Sequence, residues 1–91
     1  MRPVYEKFTF RDAPDFKREL LAAVAAGDRT VDLSGVAAAD SSMLSVLMAA
    51  RRRASDLKVV AAPAALIELA RLYGTAELAG LGEPASAAGA N

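Results

Sequence analysis

Three consecutive polar residues, Asp40, Ser41 and Ser42, are the residues of this sequence whose types and spacing could best support chemistry. They separate the run "VDLSGVAAA" from the apolar run "MLSVLMAA". A serine hydroxyl becomes a nucleophile when a general base removes its proton, and the chain has no histidine to serve as that base. Its three lysines lie in ordinary surface patterns. We therefore expect no enzymatic activity from these residues.

Two other uses of the same residues remain open. Aspartate and serine at the start of a helix accept hydrogen bonds from free backbone N–H groups and stabilise the helix by about 1 kcal/mol. Capping explains one of the three residues, because a helix needs one N-cap. Alternatively, a serine at a helix N-terminus could carry a phosphoryl group, which the helix dipole favours. The added charge of about −1.5 to −2 would change the surface that a partner contacts.

A helix with few polar residues is predicted to follow, from about Ser42 to Ala54. Such a helix is buried either in its own domain or against a partner, and exposed methionines would suit an adaptable binding surface. The arginines at positions 51–53 lie in its predicted last turn, where they complement the helix dipole. The predicted partner-binding or phosphoacceptor residues are Asp40, Ser41, Ser42, Met43 and Leu44, and the possible extension of this surface is Ser45, Met48 and Arg52.

The elements that must position these residues are short strands alternating with helices. Hydrophobic patterning predicts strands at Val4–Phe10, Thr30–Leu33 and Leu57–Ala61, and it leaves Val36–Ala39 as a loop. Helix start and stop signals predict helices after Asp12, from about Ser42 and after Pro63, with one more short turn after Thr75. This order predicts a single α/β domain over residues 1–82, with a short mixed or parallel sheet flanked by about four helices. Residues 83–91 are predicted to be a disordered tail.

Composition excludes several classes of function. Eleven basic and eleven acidic residues balance, which argues against nucleic acid as the main partner. The chain has no cysteine, no secretory h-region and no apolar stretch of about 20 residues, so we expect a cytoplasmic protein that does not insert into a membrane. No metal-ligand cluster and no glycine-rich phosphate loop is present, so neither a metal nor a cofactor is expected.

The motif "VDLSGV", a short loop, "DSSML" and an apolar helix, followed by "LKVVAAPAALIELARLYGTAEL", resembles the STAS domain family. The resemblance extends from about Phe8 to Leu81. It implies a small sheet flanked by helices, a protein partner and no catalysis. The family includes anti-sigma factor antagonists and the small cytoplasmic subunit of Mla-type phospholipid-transporting ABC systems.

These two branches imply different uses of the serines. In the antagonists, a partner kinase phosphorylates the second serine of the motif, which corresponds to Ser42. In the transport subunit, the important hydroxyl directly follows the aspartate, which corresponds to Ser41, and it lies against the ATPase subunit. The segment "LIELARLYG", residues 66–74, is more similar to the transport branch. The resemblance therefore favours an accessory subunit, with the antagonist as the alternative.

The chain departs from the family pattern at two places. Met43 occupies the position where the family usually has glycine. Only about ten residues precede the first predicted helix, where the family generally has two strands. Either the first strand is vestigial or the sheet has an open edge, and an open edge can pair with another chain. We therefore expect a homodimer or an obligate protein partner.

Overall fold

Four short strands and three helices form residues 1–74, which are the residues that the computed structural model describes. The elements are β1 (Tyr5–Phe8), α1 (Ala13–Ala25), β2 (Thr30–Asp32), β3 (Val36–Ala39), α2 (Ser42–Arg53), β4 (Lys58–Val60) and α3 (Ala64–Leu72). The predicted α/β class is confirmed, with three helices in the described part of the chain. The predicted helical turn after Thr75 and the predicted tail lie outside the described residues.

All strand pairs in the described residues are parallel. β1 pairs with β3, with Tyr5 opposite Val36 and Phe8 opposite Ala39. β2 pairs with β4 along the whole length of both strands. Parallel strands require crossover connections, and the helices α1 and α2 provide them. The sequence prediction of a mixed or parallel sheet is thus met by two short parallel pairs.

The two strand pairs are linked because the N-terminal segment runs beside β2 before it becomes β1. The backbone N–H of Asp32 donates to the carbonyl oxygen of Met1 at 2.8 Å, and the backbone N–H of Tyr5 donates to the carbonyl of Gly35 at 3.0 Å. β2 and β3 therefore follow one another along the same line of the sheet, interrupted at residues 33–35. Glycine is required in this interruption, because a Cβ atom on Gly35 would lie 2.7 Å from the carbonyl oxygen of Pro3.

The prediction of a loop at Val36–Ala39 is wrong, since this segment is strand β3. Only Val36 in this segment is a good strand former, and alanine is depleted in strands. The segment becomes a strand because β1 offers it a complete row of backbone partners. Its last residue lies directly before Asp40, so β3 fixes where the polar group begins.

The hydrophobic core lies between the strands and the helices α1 and α2, which pack against each other. It contains large side chains from nearly every element, among them Phe8, Phe16, Leu20, Val31, Leu33, Met43, Leu47, Leu57 and Leu66. Phe8 and Phe16 meet edge to face, with 5.4 Å between their ring centroids. This contact attaches β1 to α1 and so fixes both ends of the loop that connects them.

Candidate functional site

Asp40 connects the start of α2 to the end of β1. Its Oδ1 atom accepts a hydrogen bond from the backbone N–H of Ser42 at 2.9 Å and another from the Ser42 hydroxyl. Its Oδ2 atom accepts a hydrogen bond from the backbone N–H of Phe10 at 2.9 Å. One carboxylate therefore satisfies a free N–H group of the helix and also holds the loop after β1 against the helix start.

The two serines differ in how accessible their hydroxyls are. Ser41 is exposed, occupies the N-cap position of α2 and makes no side-chain capping hydrogen bond. Its hydroxyl has no hydrogen-bond partner among residues 1–74. Ser42 is half-buried, and its hydroxyl donates to Asp40. Capping is thus performed by the aspartate, which leaves Ser41 as the free hydroxyl of the three polar residues.

Two of the predicted contact residues, Met43 and Leu44, have buried side chains, with exposed fractions of 0% and 2%. They directly follow the half-buried residue Ser42 and face the core. In this conformation their side chains pack in the core at the start of α2 and are not exposed to solvent. Met43 fills core volume at the position where a glycine was expected from the family pattern.

The predicted extension of the surface forms one stripe on α2. Ser45 and Arg52 are exposed and Met48 is half-buried. Together with Ser41 they follow a spacing of three or four residues, which places them on one helical face. Most of the rest of α2 is buried, so the helix is a core helix with one accessible face.

Arg51 lies outside this stripe and has a structural contact. Its guanidinium donates to the carbonyl oxygens of Leu57 at 2.9 Å and Ser55 at 2.9 Å. These bonds tie the end of α2 to the turn that follows it, in agreement with the interpretation of the three arginines as complements of the helix C-terminus.

Hydrogen bonds from Ser42 and Phe10 lower the pKa of Asp40. The Ser42 hydroxyl is the largest cause, and the backbone N–H groups of Ser42 and Phe10 act in the same direction. Partial burial of the carboxyl group opposes them by favouring the neutral form. The net effect keeps Asp40 ionised, which preserves all of its acceptor positions.

We expect Asp40→Asn to lower the free energy of unfolding at pH 7 by about 1 to 2 kcal/mol, because an amide nitrogen cannot accept the Phe10 N–H bond. Since the folded-state pKa of Asp40 is lowered, its carboxylate stabilises the fold above the unfolded-state pKa. That contribution is lost as the pH falls through the lower folded-state pKa. The difference between the two proteins should therefore shrink as the pH falls below about 4. Urea unfolding at a series of pH values measures it.

A matched control for this prediction is Asp15→Asn. Asp15 forms an exposed ion pair with Arg18 at 2.7 Å, and exposed pairs contribute about 0 to 1 kcal/mol. The control should change stability little at neutral pH. Equal and small losses in both variants would contradict the structural importance of Asp40.

Sequence reasoning missed the loop between β1 and α1, which the Asp40 carboxylate holds beside the start of α2. This loop presents Phe10 with 67% of its surface exposed. The guanidinium of Arg11 lies over that ring, 5.9 Å from its centroid. Alternation had assigned Phe10 to the end of a strand, so its position in an exposed loop was not anticipated.

The described residues contain no group of three or more acidic, histidine or cysteine side chains that could hold a metal ion. Within the same residues, no helix is long and apolar enough to cross a membrane.

Fold and surface together define a small α/β domain that presents one helix start and one adjacent loop. The family described as "Mlab, STAS domain" matches residues 4–82. The chain belongs to the STAS domain family, whose members are in general non-catalytic protein-interaction modules. Comparisons with curated proteins and with solved structures gave no match.

Proposed function

We propose that this domain is a cytoplasmic, non-catalytic accessory subunit that docks on the ATPase subunit of an Mla-type phospholipid-transporting ABC system. The contact is made by Ser41 at the start of α2 and by the exposed face of that helix. No cofactor takes part, and neither nucleic acid nor the membrane is bound directly. The observation that carries the proposal is the free, exposed hydroxyl of Ser41 beside the engaged hydroxyl of Ser42.

The shape of the α2 face supports docking of a protein. Ser41 and Ser45 have short side chains, so a partner can approach the helix backbone closely. Met48 adds a flexible apolar side chain and Arg52 adds a positive charge toward the other end of the stripe. An interface of small, apolar and guanidinium groups suits another protein surface.

The alternative is an anti-sigma factor antagonist that is switched by phosphorylation of Ser42. The position of Ser42 in the first turn of α2 favours it, because a helix N-terminus attracts an anion. Against it, the Ser42 hydroxyl is half-buried and donates to Asp40. A kinase would have to break that bond and place the new phosphate beside a carboxylate. Because of this energetic cost, the phosphorylation switch is the less favoured of the two functions.

The open edge of β1 supports an external partner more than a homodimer. Among the described residues, β1 pairs only with β3. In an antiparallel pair of β1 strands related by a two-fold axis, an axis centred on Glu6 places that residue opposite its own copy. An axis centred on Lys7 does the same for the lysine. Like charges directly opposite each other destabilise a strand pair, so these two registers, centred on the middle of the strand, disfavour a symmetric dimer through this edge.

The proposal is tested by measuring binding of the purified chain to two purified proteins of the same organism. One is the ATPase subunit of its Mla-type transporter, and the other is an anti-sigma kinase. We expect saturable binding to the ATPase subunit by calorimetry, with a 1:1 ratio. Light scattering should show that the chain alone is monomeric.

Binding to the kinase alone would overturn the proposal in favour of the switch. In that case Ser42→Asp should abolish kinase binding and Ser42→Ala should retain it. A concentration-dependent dimer without affinity for either protein would contradict both candidates.

A further inference from the structure

The loop at residues 9–12 lies next to the proposed docking surface and shares a carboxylate with it. The Phe10 N–H group and the first N–H group of α2 donate to the two oxygens of Asp40. The loop is also closed on itself, because the Thr9 N–H donates to the carboxylate of Asp12 at 2.9 Å. The Phe10 backbone is thus held beside the helix start, while most of the surface of the residue faces solvent.

The cation beside this ring has no ion-pair partner among the described residues. The carboxylates of Asp12 and Asp40 are committed to backbone N–H groups of the loop and the helix. Arg11 stacks on Phe10 and forms no ion pair with any residue of 1–74. An apolar ring beside a guanidinium that has no ion-pair partner in residues 1–74 complements an apolar pocket with an acidic group at its rim.

We infer that the loop between β1 and α1 is a second contact on the partner protein, in which Phe10 enters an apolar pocket and Arg11 pairs with a carboxylate at the rim of that pocket. This inference rests on the proposed function, because it names a further contact to the same partner. Ser41 directly follows Asp40 in the chain, and the Asp40 carboxylate accepts the hydrogen bond from the Phe10 N–H group, so the two contacts are close to the same carboxylate.

A protein is a better occupant than nucleic acid. Single-stranded nucleic acids bind to several stacked aromatic side chains along a basic groove. This loop has one exposed ring and one cation, and two aspartates stand beside them. Aromatic and arginine side chains are enriched at protein interfaces, where a few of them carry most of the affinity.

The test compares Phe10→Ser, Arg11→Glu and Arg11→Lys in binding to the purified ATPase subunit. Phe10→Ser should weaken binding by about 30-fold, which is typical for loss of a central anchor. Arg11→Glu should weaken it by about 10-fold or more, because two carboxylates would then face each other. Arg11→Lys should keep most of the affinity at low salt, since the charge is retained.

Val4→Ser is the matched control. Val4 is 70% exposed, close to the value for Phe10, but lies directly before β1, at the opposite end of that strand from the loop. It should bind within about twofold of the parent. Thermal unfolding of each variant, followed by circular dichroism, checks that the fold is retained.

The outcomes separate this inference from the function it rests on. If Phe10→Ser binds like the parent while Ser41→Lys does not bind, the loop contact is wrong and the docking proposal stands. If the chain binds the kinase instead, the same variants are measured there, and a loss with Phe10→Ser supports the loop contact with a different partner. Binding of a short single-stranded RNA that Phe10→Ser abolishes would overturn the inference.

Discussion

Ser41→Lys should weaken binding of the ATPase subunit by at least about 100-fold, which corresponds to roughly 2.7 kcal/mol. Ser41 is exposed at the N-cap position and its hydroxyl is not engaged within residues 1–74. A long ammonium side chain there would keep the partner from approaching the helix start. The change should affect folding little, because no capping bond is lost and the unfavourable interaction with the helix dipole costs about 0.3 to 1 kcal/mol. Calorimetric titration and urea unfolding measure the two effects separately.

Ser55→Lys is the control for steric and charge effects at another place. Ser55 is also exposed, but it lies after the C-terminal end of α2. We expect its affinity to equal that of the parent. Ser41→Ala adds a further comparison, since it removes only the hydroxyl. Unchanged binding by Ser41→Lys would show that the partner does not contact the helix start.

Phe16→Ala should lower the free energy of unfolding by about 3 to 5 kcal/mol. Phe16 is completely buried, and its ring meets Phe8 at 5.4 Å and Tyr5 at 6.4 Å between centroids. Removing it leaves a cavity at the contact between α1 and β1. The total stability of a chain of this length is about 5 to 14 kcal/mol, so the variant would lose a large part of it. Chemical denaturation gives the value directly.

Phe10→Ala provides the same chemical change at an exposed position. It should shift stability by less than about 0.5 kcal/mol, because its ring is mostly in solvent. A similar loss in both variants would mean that the loop of Phe10 packs against the domain. It would then also weaken the argument for Phe10 as a partner contact.

Local signals in the sequence were sufficient for the helices. Gly27 ends the first predicted helix, and in the structure it follows α1 with a φ of +104°, a value that glycine adopts easily. Pro63 stands directly before α3. These features depend on the conformational preferences of single residues, so they can be predicted from the residue type alone. The parallel arrangement also followed from the alternating order, since parallel neighbours need crossovers.

Two features of the candidate site depend on tertiary contacts and could not be predicted from the sequence. Which of the two serines is free depends on the direction in which the Asp40 carboxylate points, and this is set by the Phe10 N–H group, 30 residues earlier in the chain. The burial of Met43 and Leu44 depends on which face of α2 meets α1. The polar residues Ser45 and Arg52 indicate the accessible face, but the apolar residues at the start of the helix give no signal that separates a core contact from a partner contact.

The interruption at Gly35 sets the phase of side-chain alternation for the segment beyond it. Met1 and Tyr5 are four residues apart, whereas the residues opposite them, Val31 and Val36, are five residues apart. The additional step moves burial from the odd positions Val31 and Leu33 to the even position Val36. Deletion of one residue at this interruption would therefore make each side chain of β3 point to the opposite face of the sheet. The polar residues that follow β3 would then lie on the opposite side of the domain.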